Sequence, residues 1–442
     1  MVTLLLNLLL LVANAASITA ATPCSTPPDE GSTVHILHAF GPCSPLGTAP
    51  FTSWEDTIMD LLSRDASRLP YLSSLAASAG RSFVPLASGR QLLQIPNYVV
   101  RAKVGSPPQS LLVALDNSND AAWFPCSGCL GCPSAAASFA VASSTSYRPL
   151  PCGSLQCGQV PSPFCPAGAV SCSFNLTYGT SSIQAGLVQD SLSLAADVVP
   201  SYTFGCLQKV IGGNSVPQQG LLGLGRGPLS FLSQTKSLYD STFSYCLPSF
   251  KSLNFTGTLR LGPVGQPKRI KTTPLLSNPR RSSLYYVNMV GVRVGRKVVD
   301  IPPSALAFDP VTGAGTIVDS GTMFTRLVLP AYTAVRDEFR RRIKAAGPVT
   351  TLGGFDTCYD GPVKAPSISL MFAGMNVTLP PENVMIHSTA GTISCLAMAA
   401  SPDNMNSMIN VVANMQQQNH RVLFDVPNGR IGFAREPCST AV

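Results

Sequence analysis

Two stretches of this chain carry the same pattern, and that repeat limits the fold more than any other feature. Leu112-Val113-Ala114-Leu115-Asp116-Asn117-Ser118 and Gly315-Thr316-Ile317-Val318-Asp319-Ser320-Gly321 each run as an apolar strand that ends in an aspartate followed by small polar residues. Each half also holds a later apolar run, Gly220-Leu221-Leu222-Gly223-Leu224-Gly225 in the first and Ile409-Asn410-Val411-Val412-Ala413-Asn414 in the second. Self-similarity on this scale implies two related halves built from the same strands. The chain has 442 residues, enough for such a pair with a substantial core.

The text between these marks supports an all-β, bilobal reading with small helices. Short alternating runs bounded by turn residues read as strands: YVVRAKV, SLLVALD, FNLTYG, GLVQDSLSL and YTFGC, then LYYVNMVGVRVG, GAGTIVDSG, SISLMF, RVLFDV and RIGFA. Helical patterns are few, chiefly Leu229 to Ser237 and Pro330 to Ala346. In the second, Tyr332, Val335, Phe339 and Ile343 form the buried stripe, and Arg340, Arg341, Arg342 and Lys344 the wet face. Net charge is +8 without a long basic run, so nucleic acid is not an expected partner.

The N-terminus differs from the rest. Residues 1–15 hold a short apolar stretch followed by Ala13-Asn14-Ala15, which reads as a secretory signal too short to span a bilayer. Residues 16–93 read as a prosegment, with a helix from Ser53 to about Leu69. Thr52 and Glu55 would cap it, Ile58, Leu61 and Leu62 would be its apolar set, and Pro70 should end or kink it. The lobes then fall at 94–275 and 276–442. The mature chain should begin between about Ser88 and Tyr98, be soluble and monomeric, and reach the extracellular space or the vacuole.

Twelve of the 14 cysteines lie between Cys126 and Cys438, an even number suited to disulfides in an oxidising compartment. Asn175, Asn254 and Asn376 head glycosylation sequons. Cys126-x-x-Cys129-x-x-Cys132 has no histidine nearby, which favours disulfides over a metal centre. No metal or cofactor is expected.

A carboxylate at the end of a buried strand is costly to ionise unless hydrogen bonds hold it. If the two halves pack face to face, Asp116 and Asp319 meet. At about 3 Å and an effective dielectric near 20 their repulsion is roughly 5 kcal/mol, so they share one proton at working pH. Such a pair can take a proton from water and give another to a carbonyl oxygen; aspartic proteases are the standard example of that logic. A serine or cysteine protease would need a histidine base. Only His387 and His420 lie beyond the prosegment, neither in a triad context, and no Gly-x-Ser-x-Gly occurs.

From the prosegment on, the chain resembles the pepsin-like aspartic proteases, within them the plant nepenthesin-like and nucellin-like group. Asp-Ser-Gly-Thr at 319–322 is similar to the family's second catalytic motif. The resemblance implies catalytic roles for Asp116 and Asp319 and a polypeptide substrate. It implies a flap tip at Tyr178-Gly179-Thr180 with Trp123 behind it, and crossing loops in GLLGLGRGPLS and VVANMQQQNHRVLFD. Ser118, Asn119, Ser320, Gly321 and Thr322 would support the dyad. It also implies disulfides 126–129, 132–206, 152–172, 157–165, 246–438 and 358–395. Two departures stand out. Asn117 replaces a threonine whose hydroxyl braces the dyad, and Ala413 replaces a glycine of the second crossing loop. The bulkier amide is expected to lower activity, with Asn117→Thr raising turnover several-fold; an amide N–H donated across the interface would offset much of that loss. The plant group also resembles xylanase-inhibitor proteins that kept the fold and lost the dyad, so a weak or inactive binding protein is the alternative to an endopeptidase.

Overall fold

The computed structural model describes residues 31–38, 54–77, 98–132, 138–178, 181–212, 220–249, 257–279, 282–344, 347–388, 392–402 and 408–438. The leader at 1–15, the maturation window at 88–97, Thr52, Gly179, Thr180 and Asn254 lie outside them.

The two halves repeat one arrangement. In the first, β1 (Thr33–His38), α1 (Trp54–Ala77), β2 (Tyr98–Val104), β3 (Gln109–Asp116) and β4 (Trp123–Leu130) are followed by β5 (Ser173–Tyr178), β6 (Ser181–Leu194), β7 (Asp197–Ile211) and β8 (Leu221–Gly223). In the second, β9 (Gly315–Val318), β10 (Thr325–Leu327), α2 (Leu329–Arg342), β11 (Ile409–Val412) and α3 (Asn414–Gln417) are the elements that matter for the site. β3 pairs in parallel with β8, Asp116 opposite Gly223. β9 pairs in parallel with β11, Val318 opposite Val412. A parallel pair between distant segments threads each aspartate-bearing strand beside its own crossing segment, as the repeat implies.

The halves join through an antiparallel sheet. Thr242–Cys246 pairs with His420–Asp425, and Phe243 stacks on Phe424 with ring centroids 4.5 Å apart. Gly257–Leu261 and then β1 extend this sheet on one side, Arg430–Arg435 and Lys271–Leu276 on the other. β1, from the region read as prosegment, therefore occupies the edge that Lys271–Leu276 occupies in the other half.

Pro70 does not end α1, which runs on to Ala77. Leu69 and Leu72, on either side of the proline, are buried against Tyr286, Ile317, Ile409 and Val411, and this packing outweighs the lost backbone hydrogen bond. The apolar set Ile58, Leu61 and Leu62 is buried as read, against Met323, Phe324, Phe355 and Ile386. The pattern at Leu229 to Ser237 becomes two short helices, Phe231–Gln234 and Lys236–Tyr239. α2 stops at Arg342, leaving Ile343 as a half-buried C-cap. Its arginines are held by Glu338 and Asp356 rather than left to water alone.

Four of the six disulfide pairings differ from those implied by the resemblance. The bonds are Cys126–Cys206, Cys129–Cys132, Cys152–Cys165, Cys157–Cys172, Cys246–Cys438 and Cys358–Cys395. β4 and β7 are parallel neighbours with Phe124 opposite Cys206, which places Cys126 5.5 Å from Cys206, Cα to Cα. Cys129 and Cys132 are then left to close the short turn beyond the strand. Non-reducing peptide maps should therefore return a Cys126–Cys206 peptide; a Cys132–Cys206 peptide would contradict this register.

Candidate active site

Asp116 ends β3 and Asp319 directly follows β9; both are fully buried, and both carboxylates are surrounded by donors from the residues that follow. Ser118 donates its N–H and its hydroxyl to Asp116 Oδ1, each at 2.8 Å. Asn119 Nδ2 donates to Asp116 Oδ2 at 2.7 Å. On the other side Thr322 donates N–H and hydroxyl to Asp319 Oδ2, and Gly321 N–H reaches Asp319 Oδ1 at 3.3 Å. Ser118, Asn119, Gly321 and Thr322, four of the residues read as dyad-supporting, thus donate to the carboxylates, while Ser320 bonds Asn117 instead. Such donors favour the ionised form and offset part of the cost of burial.

Asn117 spans the boundary between the two aspartate-bearing loops with both ends of its amide. Its Nδ2 donates to the Val318 carbonyl at 3.0 Å, and its Oδ1 accepts from Ser320 N–H at 2.9 Å and from the Ser320 hydroxyl at 3.2 Å. This corrects the expectation that the amide braces poorly. A carboxamide carries a donor and an acceptor on separate atoms, so it satisfies both backbone partners at once. Asn117→Thr should accordingly leave kcat within about threefold, since a hydroxyl also offers a donor and acceptor. Asn117→Ala orphans a buried carbonyl and a buried N–H, at about 1–3 kcal/mol each. Denaturant unfolding should register that loss, and turnover should fall at least about tenfold. A several-fold gain on Asn117→Thr would mean that the amide clasp is the inferior brace after all.

The crossing segments hold the loops from behind. Leu224 N–H donates to the Asp116 carbonyl and Asn414 N–H to the Thr322 carbonyl, each at 2.8 Å. Asn414 Nδ2 donates to the Ser320 carbonyl, and Gln417 Nε2 donates to the Asp319 carbonyl at 2.9 Å. Gly223 passes so near the first loop that a Cβ there would lie 2.4 Å from the Asp120 carbonyl oxygen. Ala413 needs no glycine, because its backbone is extended at φ −87° and ψ 171°.

Trp123 is buried at the start of β4, opposite Leu221 and Gly205. Tyr178 ends β5 at the turn of the β5–β6 hairpin. Asn175 and Asn376 are exposed, as a glycan would require. His387 and His420 hydrogen-bond locally, to the Ser394 hydroxyl and the Gln418 carbonyl. No group of three or more histidine, cysteine, aspartate or glutamate side chains suited to a metal occurs among the described residues.

The residue that sequence reasoning missed is Arg68. From α1 its guanidinium enters between the two carboxylates. Nη2 lies 2.8 Å from Asp116 Oδ1 and 2.9 Å from Asp319 Oδ1, Nη1 lies 3.0 Å from Asp116 Oδ2, and Nε lies 2.9 Å from Asp319 Oδ2. Nη2 also donates to Ser118 Oγ at 2.9 Å. A planar fork of fixed donors suits two carboxylates better than a lysine ammonium would. Burial alone would raise Asp319, but the Arg68 charge and hydrogen bonds, with those of Thr322 and Gly321, hold it below the ordinary carboxylate value. One turn earlier, Asp65 accepts from Met323 N–H at 2.7 Å and Phe324 N–H at 2.6 Å. A signal for both was present: Asp65 and Arg68 continue the helical stripe of Ile58, Leu61, Leu62, Leu69 and Leu72, charged residues at positions where burial calls for apolar ones.

Two family models match, one described as Xylanase inhibitor N-terminal over residues 98–263 and one as Xylanase inhibitor C-terminal over residues 284–435. An Arabidopsis thaliana protein named Aspartyl protease AED3 is 51% identical over 439 residues, covering 98% of this chain and 97% of its own. Aspartyl protease 25 of Oryza sativa subsp. japonica is 48% identical, over 93% of this chain and 95% of its own. Aspartic proteinase nepenthesin-1 of Nepenthes gracilis is 32% identical, with 78% of each chain covered. Among solved structures, the basic 7S globulin from soybean superposes with a TM-score of 0.61 at 19% identity, over 78% of this chain and 95% of that one. At that identity the likeness is one of fold.

Proposed function

The chain belongs to the pepsin-like aspartic proteases, in the plant nepenthesin-like group, and we propose that it is an aspartic endopeptidase made in an inhibited form, with Asp116 and Asp319 as its catalytic pair. The observation that carries this reading is the convergence of both carboxylates, from matched positions of the two halves, on one guanidinium. Arg68 occupies the place between them where hydrolysis requires a water. Once it withdraws, two carboxylates at close range cannot both stay ionised, and one proton is shared. The ionised carboxylate takes a proton from water as its oxygen attacks the peptide carbonyl; the protonated one gives its proton to the carbonyl oxygen. Collapse of the resulting diol breaks the C–N bond as the amine takes a proton back. The retained dyad, held by Asn117, Ser118, Asn119, Gly321 and Thr322, favours this enzyme over the binding protein suggested by the names of the family models.

Six described disulfides fit an oxidising compartment, extracellular or vacuolar, reached through the leader. Among the described residues no helix is long and apolar enough to cross a membrane. The deciding experiment incubates acid-treated protein with a denatured protein substrate, with and without pepstatin. Pepstatin-sensitive cleavage supports the endopeptidase. Its absence, in protein whose N-terminus shows that residues before about 98 have been removed, would favour a binding role.

A further inference from the structure

We infer that Arg326, together with the Met323 and Phe324 N–H groups, forms a pocket in the substrate cleft that accepts an acidic side chain of the polypeptide substrate. The inference rests on the protease reading above and extends it to specificity. The pocket is seen with a carboxylate in it: Asp65 of α1 takes both N–H groups, one on each oxygen. Arg326 is 5% exposed, on β10, two residues beyond Phe324. Its Nη1 donates to the Ala400 carbonyl at 3.1 Å, which stays when α1 leaves. Its Nη2 reaches only the Leu62 carbonyl of α1, at 3.5 Å, and its Nε has no hydrogen-bond partner. Removal of α1 therefore leaves two backbone donors and a guanidinium with two unfilled edges, next to the apolar cluster of Met323, Phe324, Phe355 and Ile386. A buried cation in that state is costly until an anion arrives, so the site favours a carboxylate over a neutral side chain.

Burial and charge act on Asp65 in opposite directions. Desolvation beneath the helix pushes its carboxyl up to about 7, while Arg326 and the two N–H groups pull it down. A substrate side chain entering an open cleft meets the same donors without the helix above it. The position relative to the scissile bond follows from α1. Asp65 is three residues, about 4.5 Å of helix rise, from the arginine that marks the dyad. At about 3.3 Å per residue of extended substrate, the acidic residue falls roughly one to two positions from the bond cut.

The test uses the full chain after acid treatment, at about pH 5 so that carboxylates are largely ionised. Peptides identical except for Asp, Asn or Leu at each position flanking the scissile bond are compared by kcat/KM, and their binding by fluorescence anisotropy. At one position Asp should exceed Asn at least tenfold. That ratio should fall below about twofold in Arg326→Leu and stay partly elevated in Arg326→Lys, with melting curves confirming that both variants fold. A ratio near one in the unaltered enzyme, or one that survives in Arg326→Leu, overturns the pocket and leaves the protease standing. Arg326-dependent binding of the Asp peptide without any cleavage keeps the pocket and removes the protease. Neither cleavage nor preferential binding overturns both.

Discussion

Asp319→Asn and Asp116→Asn should each lower kcat/KM toward a denatured protein by at least about 10³, the scale of general acid–base catalysis. Neither carboxylate alone can take one proton and give another in the same turnover. The amide is nearly isosteric, so the fold should survive, but its orientation is fixed by its neighbours. Thr322 donates to Asp319 Oδ2 through N–H and hydroxyl, so the amide oxygen must take that place. The new NH₂ then faces Gly321 N–H and Arg68 Nη2, donor against donor. Asp319→Asn should therefore also loosen α1, seen as faster proteolysis between Trp54 and Ala77 in the unprocessed chain. A variant that retains more than a few per cent of pepstatin-sensitive activity would show that the pair does not work as a unit.

Both aspartates were legible because the chain states them twice, and because each crossing segment is an apolar run of its own. The strands were legible from alternation and turn residues. What escaped notice involves contacts between distant segments. Arg68 lies 48 residues from Asp116 and 251 from Asp319 in sequence, and nothing local marks its partners. The cysteine pairing depended on strand register: Cys206 is a parallel-strand neighbour of Cys126, and no spacing along the chain reveals that. Asn117 read as a poorer brace on its size and missing hydroxyl, with donation by its amide across the interface left as the offsetting alternative. Its two-ended bonding depends on where Val318 and Ser320 present their backbone groups. Pro70 misled for the opposite reason, a strong local preference overruled by the burial of Leu69 and Leu72.

Arg68→Leu should give the unprocessed chain pepstatin-sensitive activity near pH 5 that the unaltered chain lacks. Removing one partner of a buried ion pair costs about 3–5 kcal/mol, which corresponds to a loss of docking by roughly two to four orders of magnitude. The pH dependence has two limbs of opposite sign. Docked Asp319 is held below its ordinary value, so its contribution to docking is present above the open-cleft pKa and lost as pH falls through the docked value. Docked Asp65 is raised, by burial first, from 3.8 to about 7; its contribution is full below 3.8 and lost as pH rises through about 7. Docking is then tightest between those limits, releasing in acid as Asp319 takes up a proton against Arg68. Toward neutrality it loosens gradually as the buried Asp65 ionises. Asp65→Asn should flatten the neutral limb and leave acid release in place, measured as the rate of proteolysis in α1 across pH 3 to 8. If Arg68→Leu stays as silent as the unaltered chain while its α1 remains protected, the covering helix and not the guanidinium is what blocks the cleft. If Asp65→Asn keeps the neutral limb, another group sets it.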